Sequence, residues 1–164
     1  MKEFLTEQLE RTNYWLAFAE AKNVGLVALN IAIVAACTQI TEIPIILRVL
    51  LCCLFLVAIM VSLVSFVSNL SGKIGKKNKE DSNKYNLIFY RDVAKIKDVD
   101  TYLNALKINY KLEQKDEEKP LYKDFVTEII INSEIAVYKY NMFNLAIAID
   151  IGTIIIFIIS LIVA

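Results

Sequence analysis

Asp150 is the residue of this 164-residue chain whose type and setting most invite chemistry: it stands seven residues into an otherwise unbroken apolar run, Phe143 to Ala164. A carboxylate inside a membrane helix costs roughly 2.5–3.5 kcal/mol on insertion scales, so it faces other helices or water. Asn30 sits in an earlier apolar run. Two roles are open to this pair of polar residues. They hydrogen-bond between helices and fix assembly, or they line a path for an ion or a proton, which with so few spans requires several copies. Lys22, Arg91 and Lys139 are the cations best placed to meet an anionic ligand near a membrane; the competing reading is ordinary charge against lipid headgroups. Asn132 and Ser133 interrupt the apolar stretch Ile129–Ile131, and a polar pair there costs burial unless it is hydrogen-bonded.

Other chemistry has little to stand on. There is no histidine, which removes the commonest catalytic base and the commonest metal ligand. The sequence has no phosphate-binding glycine loop, no Cys/His metal spacing and no nucleophile elbow. The carboxylate pairs Asp98/Asp100 and Glu117/Glu118 read as a helix cap and a solvated loop. Cys37, Cys52 and Cys53 all fall in apolar runs and read as small packing residues. The chain is therefore not expected to be an enzyme or to hold a metal.

The elements that position these residues follow from hydropathy. The chain is 57% hydrophobic with no net charge and a mean hydropathy of +0.50, against about 45–50% apolar usage in soluble domains. Residues 1–22 have the period of an amphipathic helix: Phe4, Leu5, Gln8, Leu9, Thr12, Trp15, Leu16 and Ala19 share a stripe, with Glu3, Glu7, Glu10, Arg11 and Lys22 off it. Tyr14, Trp15 and Phe18 suit a membrane interface. Residues 23–70 hold two spans, about Val24–Ile40 and Ile46–Leu70, with a short break near Glu42 and Pro44. Ser62, Ser65 and Ser68 recur every third residue in the second and suit close helix packing, with a wet path as the alternative. The first run begins behind a charged stretch and lacks a small-residue cleavage site, so it is read as a retained span.

Residues 71–142 are the sizeable soluble part. Ser71–Asn86 reads as a lysine-rich linker, Asn86–Lys97 as a short strand or a helix start, and Val99–Leu112 as a helix capped by Asp98. Tyr102, Leu103, Leu106 and Tyr110 share one face of it. Glu113–Lys119 is a charged loop. Pro120 fits the first turn of a last helix, which meets no breaker before Asp150 and runs into a third span, 143–164. The soluble part is too small for a comfortable core of its own, so its helices are expected to pack on the N-terminal helix or on other subunits. The lysines and arginines crowd residues 1–22 and 71–142, which the positive-inside rule places in the cytoplasm, with the short loop and the C-terminus outside. The expected fold is an all-α membrane protein: an amphipathic N-terminal helix, a transmembrane hairpin, a small helical cytosolic insert, and a long C-terminal helix entering a third span.

Three stretches carry a resemblance: Ala19–Ile33 (AEAKNVGLVALNIAI), Asn86–Leu103 (NLIFYRDVAKI…YL) and Glu128–Ile147 (EIIINSEIAVYKYNMFNLAI). They resemble the transmembrane effectors of Pycsar, the bacterial anti-phage system built on cyclic pyrimidine nucleotides, and the order of elements agrees. The resemblance implies an effector that senses cyclic CMP or cyclic UMP made by a partner cyclase and impairs the inner membrane as a homo-oligomer. It implies no cofactor beyond that ligand, membrane lipid as a partner, and no nucleic acid. It marks Lys22, Asn23, Asn86, Phe89, Asn132 and Ser133 as motif residues, to which Arg91 and Lys139 add cations for a phosphate. Two ligand-independent alternatives stand beside it, a membrane scaffold that recruits a partner and a holin-like pore-forming toxin.

Overall fold

The computed structural model describes residues 1–41, 43–67, 84–113 and 115–163, and it is helical throughout with no strand among them. Five α-helices follow in order: α1 (Lys2–Cys37), α2 (Ile45–Val64), α3 (Tyr90–Ile96), α4 (Val99–Tyr110) and α5 (Lys119–Val163). Three of them, α1, α2 and α5, are long and apolar enough to cross a bilayer. Glu42, Ser68 and most of the expected linker, including Lys73, Lys76, Lys77 and Lys79, lie outside the described residues.

The amphipathic stretch and the first span are one helix. α1 has 36 residues, about 54 Å at 1.5 Å per residue, with no breaker between Lys2 and Cys37. α5 is likewise continuous over 45 residues, and the span enters it without a joint. Pro120 sits in its first turn, where a missing N–H costs nothing. The chain divides into two compact units, Met1–Phe18 with Asn69–Tyr138, and Ala19–Ser68 with Lys139–Ala164. Both long helices contribute to each.

The first unit has a small apolar core, and α1 supplies part of it. Leu5 packs with Leu87, Val93, Ile96, Tyr102, Leu106, Tyr122, Val126 and Ile129. Of the two expected partners, the N-terminal helix and other subunits, the N-terminal helix is the one seen in this core. Asn86–Lys97, read as a short strand or a helix start, is a turn over residues 86–89 followed by α3. Asn86 Oδ1 accepts from the Ile88 and Phe89 amides at 2.9 and 3.3 Å, an Asx turn that sends the chain into a helix. Asp98 caps α4 by accepting from the Thr101 amide at 2.9 Å. α4 stops at Tyr110, two residues short of the expected Leu112, because Lys111 takes left-handed φ of 52°. Tyr110, on the face shared with Tyr102, Leu103 and Leu106, is 40% exposed, its ring centre 5.6 Å from that of Phe4.

The second unit is a bundle of apolar helix segments. Leu26 of α1, Ala58 of α2 and Ala146 of α5 pack together, flanked by Val61, Phe143 and Ile147. Two small residues at that contact let the helices approach closely. α1 ends at Cys37 and not Ile40. α2 ends at Val64, although the apolar run continues. Ser65 Oγ bonds back to the Ser62 carbonyl at 2.6 Å, and Phe66 and Val67 follow in turns.

Candidate functional site

Contacts climb α1 and α5 in step within the second unit. Asn23 meets Lys139, and further along Asn30 meets Asp150, so the two helices run parallel there. The Asn30 Nδ2–H donates to Asp150 Oδ2 at 2.9 Å, 0% and 4% of the two residues being exposed. The sequence reading named both residues without pairing them, since 120 positions separate them. Thr153, one turn beyond Asp150, is buried too, and its hydroxyl donates to the Ile149 carbonyl.

Lys139 lies one turn before the apolar run that begins at Phe143, and it is buried with 5% exposure. Its Nζ donates to the Ser65 carbonyl at 3.1 Å, pairs with Glu20 at 3.0 Å and stands 5.2 Å from the Phe66 ring centre. One ammonium thus joins segments of α1, α5 and the end of α2, whose last carbonyls present partial negative charge. Asn23, wholly buried, donates to the carbonyls of Ala19 and Lys139. The Lys22 ammonium lies over the Tyr140 and Phe143 rings at 5.5 and 5.1 Å, within cation–π range. The sequence singled out Lys22, Asn23 and Lys139. It did not point to Glu20 or to the Ser65 carbonyl, because a surface-type glutamate and a backbone oxygen leave no mark in composition.

The other candidates lie in the first unit. Phe89 is 40% exposed and meets Tyr90 edge-on at 4.9 Å; Tyr90 in turn meets Trp15 at 5.5 Å. Tyr14 and Phe18 extend this row of rings along α1. Arg91 is exposed beside Phe89. Asp92 accepts from Lys95 Nζ at 2.8 Å and from the Asn86 amide at 3.3 Å. The Lys95 ammonium, chiefly, holds the Asp92 carboxyl below its ordinary range. Asn132 donates to Asn13 Oδ1 at 2.9 Å, so one half of the expected polar pair is satisfied across α1 and α5. Ser133 is buried, and its hydroxyl makes no hydrogen bond. Asn86 and Phe89 therefore meet just before α3, with Arg91 in its first turn, and Asn132 belongs to an α1–α5 contact.

A family comparison matches residues 4–164 to PycTM, the Pycsar effector protein domain. The chain belongs to the Pycsar effector family. That match covers nearly the whole sequence and every element above. Comparison with curated proteins and with solved structures finds no match. A Pycsar effector acts in anti-phage cyclic-nucleotide signalling, downstream of the cyclase that makes the signal. With three helices fit to span a bilayer, this one is a membrane protein.

Proposed function

We propose that this effector binds a cyclic pyrimidine mononucleotide, cyclic CMP or cyclic UMP, on its cytosolic side and then impairs the inner membrane as a homo-oligomer. The observation that supports it is the continuity of α1 and α5, each running from the core of the first unit into an apolar span without a break. A continuous helix is stiff, so a shift of its soluble end is passed to the part in the bilayer. Among the candidate residues, Asn86, Phe89 and Arg91 are accessible, and the last two offer a ring for a base and a guanidinium for a phosphate. Lys22, Asn23, Asn132, Ser133 and Lys139 are more enclosed; their role in this reading is to hold the helices in the arrangement that nucleotide changes. The ligand must favour the membrane-impairing state over the resting one, since equal affinity for both shifts nothing.

Thermal unfolding of the full chain in detergent, with cyclic CMP, UMP, AMP and GMP, tests this reading. A ligand at 100 times its dissociation constant stabilises by about 2.7 kcal/mol. A pyrimidine-specific rise that Arg91→Ala removes is the expected result. No shift with any nucleotide on folded protein would move the reading to a ligand-independent toxin or scaffold.

A further inference from the structure

The Asp150 carboxylate has no cationic side chain of this chain to neutralise it among the described residues. On α1, no ionisable side chain but the Cys37 thiol occurs between Val24 and Cys37. On α2 the ionisable groups are Arg48 and the Cys52 and Cys53 thiols, and Arg48 is spent on the Ile40 carbonyl at 2.5 Å, by the short loop. On α5, Asp150 is the one charged residue after Lys139, and Lys139 is committed to Glu20 and the Ser65 carbonyl. Lys139 also lies about 16 Å back along the helix at 1.5 Å per residue. Yet Asp150 is buried in an apolar helix segment, where an unpaired charge is not tolerated.

The hydrogen bonding points the same way. The bond from Asn30 leaves two oxygens over, Asp150 Oδ1 and Asn30 Oδ1, both buried and both without a hydrogen-bond partner. Each is an acceptor, so neither can satisfy the other unaided. What they lack is a positive centre small enough to sit inside a helix bundle.

We propose that Asp150 and Asn30 together hold a small monovalent cation, a hydron or a sodium ion, within the membrane bundle. A hydron on Asp150 Oδ1 would form an O–H able to donate to Asn30 Oδ1; a sodium ion would take both oxygens as ligands. In either form the occupant supplies the charge balance that the protein's own side chains withhold, and it ties the α1 and α5 segments. The site depends on no nucleotide and stands or falls apart from the sensing reading. If the bundle opens in the membrane, Asp150 is the place where a permeating cation would pause.

The test is thermal unfolding of the full chain in detergent without nucleotide. One series varies pH from about 8 to about 5; the other exchanges sodium chloride for choline chloride at constant ionic strength. A native state that keeps a hydron its unfolded state has lost gains stability as pH falls toward the free carboxyl value. A hydron site therefore raises the wild-type midpoint on acidification, by about 3 °C or more beyond Asp150→Asn. A sodium site raises it in sodium but not choline, again only with Asp150 intact. Wild type and variant responding alike in both series would overturn the proposal. Should Asp150→Asn fail to fold, wild type alone decides. Infrared spectra report the carbonyl stretch of a buried carboxylic acid, and sodium line-broadening by nuclear magnetic resonance reports bound sodium. Either signal supports the site, and absence of both sinks it.

Discussion

At the scale of single residues, the buried polar side chains Asn23, Asn30, Lys139 and Asp150 tie helices to one another. Lys139 is the clearest case: an ammonium held by a carboxylate and a helix-terminal carbonyl, with an aromatic face beside it. Lys139→Met removes the charge while keeping most of the volume. It should lower stability by about 1.5–3 kcal/mol, the range for hydrogen bonds to charged groups, in thermal or denaturant unfolding in detergent. Glu20→Gln should cost under about 1 kcal/mol, because that carboxylate is half exposed and screened. Asp92 gives a pH-dependent counterpart. Its carboxyl titrates below its unfolded value near ~3.9. The stabilisation is thus present above that value and is lost as pH falls through the lower, folded one. The Lys95 partner is half exposed, so the effect is a few tenths of a kcal/mol and shrinks with salt. Asp92→Asn should lower stability near neutrality by those few tenths and flatten the stability profile below about pH 4.

At the scale of elements, helix ends decide where the soluble turns fall. Asp98 caps α4, and Asp98→Ala should cost about 1 kcal/mol in the same unfolding assay. Lys97 and Lys111 end α3 and α4 in left-handed conformations, at φ of 53° and 52°. Glycine takes that conformation without the side-chain clash a lysine carries. Lys111→Gly should therefore raise stability by about 0.5–1 kcal/mol. A fall would mean that the lysine stem makes packing worth more than the strain. The cap was legible in the sequence, since Asp98 precedes an amphipathic run. Neither lysine terminus was, because a lysine gives no local sign that it will adopt positive φ. The end of α2 was missed for a related reason. Hydropathy continues through Phe66 and Val67, while the hydroxyl of Ser65 has already turned back on the Ser62 carbonyl.

For the whole molecule, the topology we propose has three spans with the two termini on opposite sides of the membrane, and the lysine and arginine bias is the ground for placing the N-terminus inside. Under the proposed topology, a reporter that fluoresces only in the cytoplasm should be bright at the N-terminus. Alkaline phosphatase, active only outside the inner membrane, should work when fused after Ala164. The reverse pattern would place the first unit outside and remove cytosolic nucleotide sensing.

Local sequence was enough to read a helical membrane protein whose last helix runs unbroken into an apolar segment, and to single out Asn30 and Asp150 as polar residues within apolar runs. These conclusions rest on local quantities: hydropathy summed over a window, helical period, and the absence of a breaker. The tertiary structure decided who meets whom. Asn30 bonds to Asp150, Glu20 pairs with Lys139, and Asn13 meets Asn132, across separations of more than a hundred positions. Such pairings depend on the relative rotation of parallel helices. That rotation is set by the packing of Leu26, Ala58 and Ala146 in one unit and of Leu5, Tyr102 and Tyr122 in the other. No single segment encodes it, because an apolar helix face specifies that it will be buried and leaves open which neighbour will bury it.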